Sequence, residues 1–350
     1  MTPLARLIAE RIRETGPITV ADYMTECLLH PVHGYYTTRD PFGTAGDFTT
    51  APEISQMFGE LIGLALAQGW LDRGAPAPFT LAEPGPGRGT LMADILRATR
   101  GVPGFHAAAQ VVLVEASPRL RKVQAATLAG YTPTWAERLD DLPQGPLFLV
   151  ANEFLDALPI RQFQRGPQGW QERLIGLRDD ALTFGLSAPL PQVPDTPAFR
   201  DAPEGALVED CLPARHAVAE VSTRIAKAGG LAYWIDYGGW RSRGDTLQAL
   251  RAHAPDDPLA HPGEADLTAH VDFEPLAALA PAFACDAQGA VLTRLGIEAR
   301  AERLARNLTG ERLESHRAAH RRLTDPSEMG SVFKVLALTS VGAPPPPGFA

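Results

Sequence analysis

"TLAEPGPGRGTLM", residues 80–92, sets Gly85, Gly87 and Gly89 between an apolar run that reads as a strand and a helical pattern that begins near Thr90. Glycines in that context let the backbone turn sharply and approach a ligand. Two phosphate-binding patterns fail here on spacing. The dinucleotide fingerprint GxGxxG needs glycine at position 90, which is threonine, and the P-loop needs Gly-Lys-Ser/Thr where this chain has Arg88-Gly89-Thr90. Glu83 argues the same way, because a carboxylate beside the loop repels a diphosphate and attracts an ammonium or sulfonium group. S-Adenosylmethionine carries both, which makes Glu83, Gly85, Pro86, Gly87 and Gly89 candidate cofactor contacts.

Outward from the loop, strand-like and helix-like patterns alternate. "FTLAEPG", "TLMADILRATR", "AQVVLVEAS", "SPRLRKVQAATLAG" and "GPLFLVANEF" follow in the order that makes parallel βαβ units, so the fold class is α/β with a doubly wound, mostly parallel sheet. "GLAYWIDYGG" reads as a fifth strand and "SVFKVLALTS" as the last. The second unit of the alternation ends in Glu115, placed to accept hydrogen bonds from the two ribose hydroxyls of a nucleoside. A glycine turn with solvated acids at its strand ends is the plainer reading; the order and spacing of the two acids favour the adenosyl cofactor.

Helical periodicity over 3–14, an irregular stretch over 15–50 and a helix from about 53 to 72 with Pro52 in its first turn make residues 1–78 an N-terminal helical extension. The methyl-carrier-binding domain then spans 79–340, with insertions at about 160–212 and 240–325, the first reading as short antiparallel strands with Gly turns. A charged helical stretch covers about 297–323, and the Pro-rich tail 341–350 is expected to be extended and mobile.

Composition narrows the function classes. Lys+Arg 32 against Asp+Glu 41 gives a net charge of -9 over 350 residues, which argues against a broad nucleic-acid-binding face. Cys27, Cys211 and Cys285 are far apart and form no CxxC, so neither a zinc cluster nor a disulfide framework is expected, and a reducing cytosol fits. The N-terminal helix carries Glu10 and Glu14, unlike a signal or transit peptide, and the longest apolar run, "LIGLALA", is too short for a membrane anchor. His30, His33 and His270 lack an obvious set of ligand partners, so no metal site is expected.

"PLFLVANEFLDALP" delivers Asn152, Glu153 and Asp156 past the carboxyl end of a buried strand, where open α/β sheets place their ligands. A helical turn there would put Glu153 and Asp156 on one face. Methyl transfer from a sulfonium depends on positioning and electrostatics, and a guanidinium acceptor would use two carboxylates to bind its fork of donors. The plainer alternative is a helix start in which Asn152 caps and the acids complement the dipole. Asp236 in "WIDYGG" reads as a turn residue before Gly238-Gly239. Residues 37–60 hold Asp40, Asp47, Thr49, Thr50 and Glu53 in a glycine-hinged loop; spacing alone favours an ordinary capped helix start, with closure over a cofactor as the other reading.

These stretches resemble the class I methyltransferase-like family that includes a mitochondrial complex I assembly factor with protein arginine methyltransferase activity, and its bacterial relatives. The resemblance runs through "HPVHGYYTTRDPFGTAGDFTTAPEISQMFGELIG", "EPGPGRGTLMADILR", "LVEASPRLRKVQ", "NEFLDALPIRQF", "DTLQALRAH", "PLAHPGEADLTAHVDF" and "MGSVFKVLA". It implies a seven-stranded methyltransferase sheet, S-adenosylmethionine as cofactor, and a protein substrate, for the mitochondrial member an arginine of a complex I subunit. It also moves Asp47, Thr49 and Thr50 into the cofactor set, in which Asn152 is counted as well. Asn152 and Glu153 would orient the acceptor and Asp156 would assist guanidinium binding. An assembly or binding protein with little turnover, or a small-molecule methyltransferase, are the alternatives. Pro84 and Ala136 depart from the family pattern, and Pro84 is tolerable only where its missing N–H makes no ladder bond.

Overall fold

The computed structural model describes residues 1–38 and 49–349; Asp40 and Asp47 lie outside the described residues. The chain divides into two compact units, one of Met1–Phe48, Asp156–His216 and Gly239–Pro275, the other of Thr49–Leu155, Ala217–Gly238 and Leu276–Ala350. This differs from the division the sequence suggested. The N-terminal helices, the first insertion and the opening part of the second (Gly239–Pro275) share one core in which Leu4, Ile8, Tyr23 and Met24 pack with Ile175 and Leu267; the rest of the second insertion belongs to the other unit and supplies a strand of its sheet.

The second unit holds the sheet that the alternation foretold. Its strands are β1 (Phe79–Pro84), β2 (Ala109–Val114), β3 (Thr134–Ala136), β4 (Leu147–Asn152), β5 (Gly230–Gly239), β6 (Phe283–Ala287) and β7 (Phe333–Thr339). They lie in the order β3-β2-β1-β4-β5-β7-β6. Strands β1 to β5 are mutually parallel, and β7 runs antiparallel to both β5 and β6. These seven strands make the doubly wound, mostly parallel sheet that the alternation implied. Strand β1 is buried along its whole length and β4 at every position before Asn152, which is why both read as unbroken apolar runs rather than as alternation. Phe79 anchors an aromatic cluster, its ring centroid 5.1 Å from Phe105 and 5.2 Å from Phe148.

The helix expected over 53–72 is two helices. Ser55 takes an extended conformation, and its hydroxyl accepts from the Met57 N–H at 3.2 Å, so that α1 (Ala51–Ile54) ends and α2 (Gln56–Asp72) begins. Gly59 and Gly63 lie on the face of α2 that meets α3 (Thr90–Ala98). A Cβ on Gly59 would stand 2.6 Å from Asp94 Cβ and one on Gly63 2.8 Å from Ile95 Cα, so these glycines set how closely the glycine-loop helix packs. On the same helix, buried Glu60 accepts both guanidinium bonds of Arg300, at 2.7 and 2.9 Å.

The other unit is built on an antiparallel sheet of Ile18–Thr19, Arg161–Gly166, Gly169–Arg178, Ala181–Pro189 and Leu207–Asp210. The sequence pointed to Gly turns; one hairpin turns instead through Asp179 and Asp180, both at positive φ (51° and 63°), the pattern of a type I′ turn. The second insertion opens with a small sheet of Gln248–Arg251, Ala254–Asp256 and Asp266–Thr268.

The Pro-rich tail makes specific contacts. Its carbonyls at Pro344, Pro347 and Gly348 accept from Arg73 Nη2 (3.0 Å), the Tyr233 hydroxyl (2.9 Å) and Arg294 Nε (2.6 Å), and Phe349 packs on the core. Prolines leave carbonyls bare of intrachain partners, and these donors supply them. Deleting 341–350 leaves the almost fully buried Tyr233 hydroxyl without its acceptor. The expected cost is about 2 kcal/mol, measured as a lower urea midpoint; an unchanged midpoint would show that the tail contributes nothing to the fold.

Candidate active site

The fold brings the acids and glycines found in the sequence to the carboxyl ends of β1, β2 and β4. Glu83 is 3% exposed at the end of β1. Its carboxylate accepts the Met92 N–H in the first turn of α3, while Oε2 has no hydrogen-bond partner among the described residues. Burial pushes this carboxyl well above the usual carboxylate range, with the Met92 N–H opposing that rise. A buried oxygen in that state is stabilised by any donor or cation that reaches it.

Pro84 now has a physical account. Along β1 the even-numbered N–H groups face β4, as Thr80 N does toward Pro146 O, and the odd ones face β2, as Gly85 N does toward Val114 O at 3.0 Å. Pairing of β1 with β4 ends at Ala82 opposite Leu149, whereas pairing with β2 continues to Pro84 opposite Val114. Pro84 therefore omits a donor on the side where the ladder has already stopped.

The loop itself turns at Gly85, Gly87 and Gly89, all at positive φ (61°, 52° and 83°). Gly89 N donates to Pro86 O at 2.7 Å, and α3 starts on the next residue. The opening is tied to α1, since the Thr90 hydroxyl donates to Glu53 Oε1 at 2.6 Å.

Glu115 leaves β2 as expected, and its carboxylate is oriented by the chain that follows. Oε1 accepts from Ser117 N at 2.7 Å and Oε2 from Gln124 Nε2 at 3.2 Å. Burial raises its pKa, and those donors oppose the rise. Glu115 N donates to the carbonyl of Ala136 at 3.0 Å, a backbone bond that does not depend on which side chain stands at 136. Gln124 was not picked out in the sequence, because nothing local distinguishes it from any other polar residue on the helix α4 (Pro118–Thr127). It is fully buried.

At β4 the structure departs from the helical turn expected after Asn152. Glu153 takes φ +51°, its N–H donating to Ile235 O at 2.9 Å, and the chain bends away without forming a helix. Glu153 Oε1 accepts from Ala51 N at 2.9 Å and from Asn152 Nδ2 at 2.8 Å. Ala51 N–H is the first of α1, whose N-cap Thr50 makes no side-chain cap bond; Glu153 supplies the acceptor in its place. Thr49 precedes it, half-buried. Asn152 Oδ1 is buried with no hydrogen-bond partner among the described residues.

Two sequence assignments shift here. Asp156 belongs to the other unit, 7% exposed, where burial first, and then the fields of Asp266 and Asp156, raise the pKa of the Tyr36 hydroxyl, which donates to Asp266 at 2.9 Å. It does not share a helical face with Glu153. Asp236 is no turn residue: it lies inside β5, fully buried, and its carboxylate accepts from Phe154 N (3.1 Å), Leu155 N (2.9 Å) and Tyr237 N (2.9 Å). It fixes the bend that carries Glu153.

A sheet of this order, with a buried acid before a glycine turn on its first strand and a second acid closing the next, is the frame of a class I methyltransferase. Residues 61–291 match the family described as "Putative S-adenosyl-L-methionine-dependent methyltransferase", and the chain belongs to that family. It is 38% identical to the protein arginine methyltransferase NDUFAF7 homolog of Drosophila melanogaster, covering 96% of this chain and 84% of that protein. To the Homo sapiens protein arginine methyltransferase NDUFAF7 it is 36% identical, covering 97% of this chain and 83% of that protein. A crystal structure of a Burkholderia thailandensis protein bound to S-adenosyl-homocysteine matches with a TM-score of 0.83 at 27% identity, covering 99% of this chain and 93% of that one. The chain is accordingly an S-adenosylmethionine-dependent methyltransferase. Both curated relatives are named mitochondrial, a compartment that the reducing-cytosol reading did not name. No described helix is long and apolar enough to cross a membrane.

Proposed function

We propose that this chain methylates an arginine side chain of a protein, with a respiratory-complex subunit as the target class. The observation that carries this reading is the pair at the end of β4: a buried amide oxygen, Asn152 Oδ1, with no hydrogen-bond partner among the described residues, next to the carboxylate of Glu153. An orphan acceptor beside a carboxylate suits a ligand that brings several N–H donors, as a guanidinium does. The relatives named as protein arginine methyltransferases, similar over nearly the whole chain, support the same acceptor and suggest a mitochondrial or equivalent respiratory setting.

When bound, S-adenosylmethionine supplies a methyl group on a sulfonium. Glu83, Gly85, Pro86, Gly87, Gly89 and Glu115 would hold it, with Asp47, Thr49 and Thr50 as further candidates; the unsatisfied Glu83 oxygen and the open backbone of the glycine turn fit a cationic adenosyl ligand. Asn152 Oδ1 accepts a guanidinium N–H and so aims the attacking nitrogen. Glu153 stabilises the positive charge of the guanidinium and receives the proton that the nitrogen gives up. Asp156, grouped with Tyr36 and Asp266, is assigned to its own unit rather than to the acceptor pair.

One observation favours a second reading, a binding protein with little turnover: Glu153 Oε1 already accepts two N–H groups and so has a structural task. The two readings separate in one experiment, labelled methyl transfer into a cell extract followed by mass spectrometry, run with the wild-type chain and with Glu153→Gln. Dimethyl- or monomethylarginine is expected with the wild type, with kcat about 100-fold lower in the variant and S-adenosyl-homocysteine affinity nearly unchanged. Label found only in metabolites, or full activity in the variant, would overturn the assignment.

A further inference from the structure

We propose that Gln124 is the positioning residue of the nucleoside end of the cofactor site, holding the glycine turn and the Glu115 carboxylate in one fixed relation. The inference rests on the reading of Glu115 as the ribose acceptor. Gln124 projects from α4 into a fully buried position and touches three separate elements. Its Nε2 donates to Gly87 O at 2.8 Å and to Glu115 Oε2 at 3.2 Å, and its Oε1 accepts from Trp135 Nε1, on β3, at 2.8 Å.

The orientation of that amide is forced. An indole N–H can only donate, so Trp135 fixes Oε1 toward itself and leaves both Nε2 hydrogens for two oxygens, a carbonyl and a carboxylate, which can only accept. Every polar valence directed at Gln124 is thus matched, and a flipped amide would set oxygen against two oxygens. The same side chain lines the glycine turn, its Cα and Cγ 3.6 Å from where a Cβ on Gly89 would lie. With Oε1 of Glu115 taken by Ser117 N and Oε2 steered by Gln124, the carboxylate plane is set before any ribose arrives. Preorganisation of this kind lowers the ordering cost of binding.

Isothermal titration with S-adenosyl-homocysteine and with its 2′-deoxyribose analogue tests this without turnover. The wild-type chain is expected to prefer the ribose form by about tenfold, the value of roughly one hydrogen bond to a charged group. Gln124→Met keeps the volume and removes the three bonds; the preference is expected to fall to about twofold. A purely structural loosening would weaken both ligands equally and keep the preference, which overturns the proposal. Trp135→Phe, which frees the amide to flip while leaving Gln124 in place, serves as the second variant and is expected to lose preference in the same direction to a smaller extent; if Gln124→Met does not fold, an undiminished preference in Trp135→Phe overturns the proposal. Glu115→Gln separates the two layers: preference surviving there overturns the ribose assignment itself, whereas preference lost there and kept in Gln124→Met overturns the role of Gln124 alone.

Discussion

Replacing Gly85 with alanine is expected to weaken S-adenosyl-homocysteine binding about 100-fold, by adding a left-handed alanine at about 1–2 kcal/mol to a steric clash. Gly85 sits at φ +61°, and a Cβ there would lie 2.7 Å from Cδ2 of Phe154. Phe154 cannot yield quietly. Its N–H is held by Asp236 and it directly follows Glu153, so a displaced ring transmits the disturbance to the bend at the end of β4. One methyl group would therefore disturb the glycine turn and the proposed acceptor pair, Asn152 and Glu153, together. Gly89→Ala provides the comparison: it too has positive φ, 83°, but its nearest neighbours lie at 3.6 Å, so only the conformational cost applies and about a tenfold loss is expected. Titration of both variants decides the point, since equal losses would mean that the contact with Phe154 is immaterial.

The comparison of Gly85 with Gln124 shows what a linear sequence can disclose about this site. Glu83 and the three glycines declare their chemistry by residue type and spacing within one short stretch, so that stretch carried enough information to reject both phosphate-binding patterns and to suggest a cationic ligand. Gln124 acts through Gly87 and Trp135, 37 and 11 residues away, and nothing in its local pattern reveals those partners. The same limit explains Asp156. Three residues from Glu153 on a helix would share its face, but that inference assumed helical backbone, and Glu153 instead adopts a left-handed conformation that ends the regularity. Asp236 misled for a related reason: the glycines after it look like a turn, yet the strand runs on through them to Gly239.

Domain organisation was legible only in part, for a physical reason. The parallel sheet is built from consecutive βαβ units, so local periodicity reports it. The other unit gathers an N-terminal helix pair, the first insertion and only the opening part of the second, and its core forms between Leu4, Ile175 and Leu267, residues whose individual burial pattern is equally consistent with separate elements. Pro84 needed the register on both sides of β1 before it could be explained; composition offers no substitute for knowing which neighbour its missing N–H faces.

Asp236→Asn is expected to destabilise the chain by about 3 kcal/mol, more than the tail deletion, because hydrogen bonds to a buried charged acceptor contribute about 1.5–3 kcal/mol each. The carboxylate accepts from three backbone N–H groups, two on Oδ2 and one on Oδ1. Asparagine retains one acceptor oxygen and brings a donor to the other position. If the oxygen stays with Phe154 and Leu155, the Tyr237 N–H faces an NH2 group; if it turns to Tyr237, two buried donors are stranded. Neither orientation restores the network, and repacking is blocked because Asp236 is fully buried within β5. The functional consequence follows from what those donors do. Phe154 and Leu155 are the first residues after Glu153, so losing their carboxylate relaxes the positive-φ bend that carries Glu153 of the proposed acceptor pair. Two readouts separate the effects: the urea midpoint at constant m-value reports stability, and kcat measured well below that midpoint reports the bend. A large fall in kcat with S-adenosyl-homocysteine affinity preserved would place Asp236 behind Glu153 in the catalytic arrangement, whereas a fall in midpoint with kcat intact would restrict Asp236 to holding the fold.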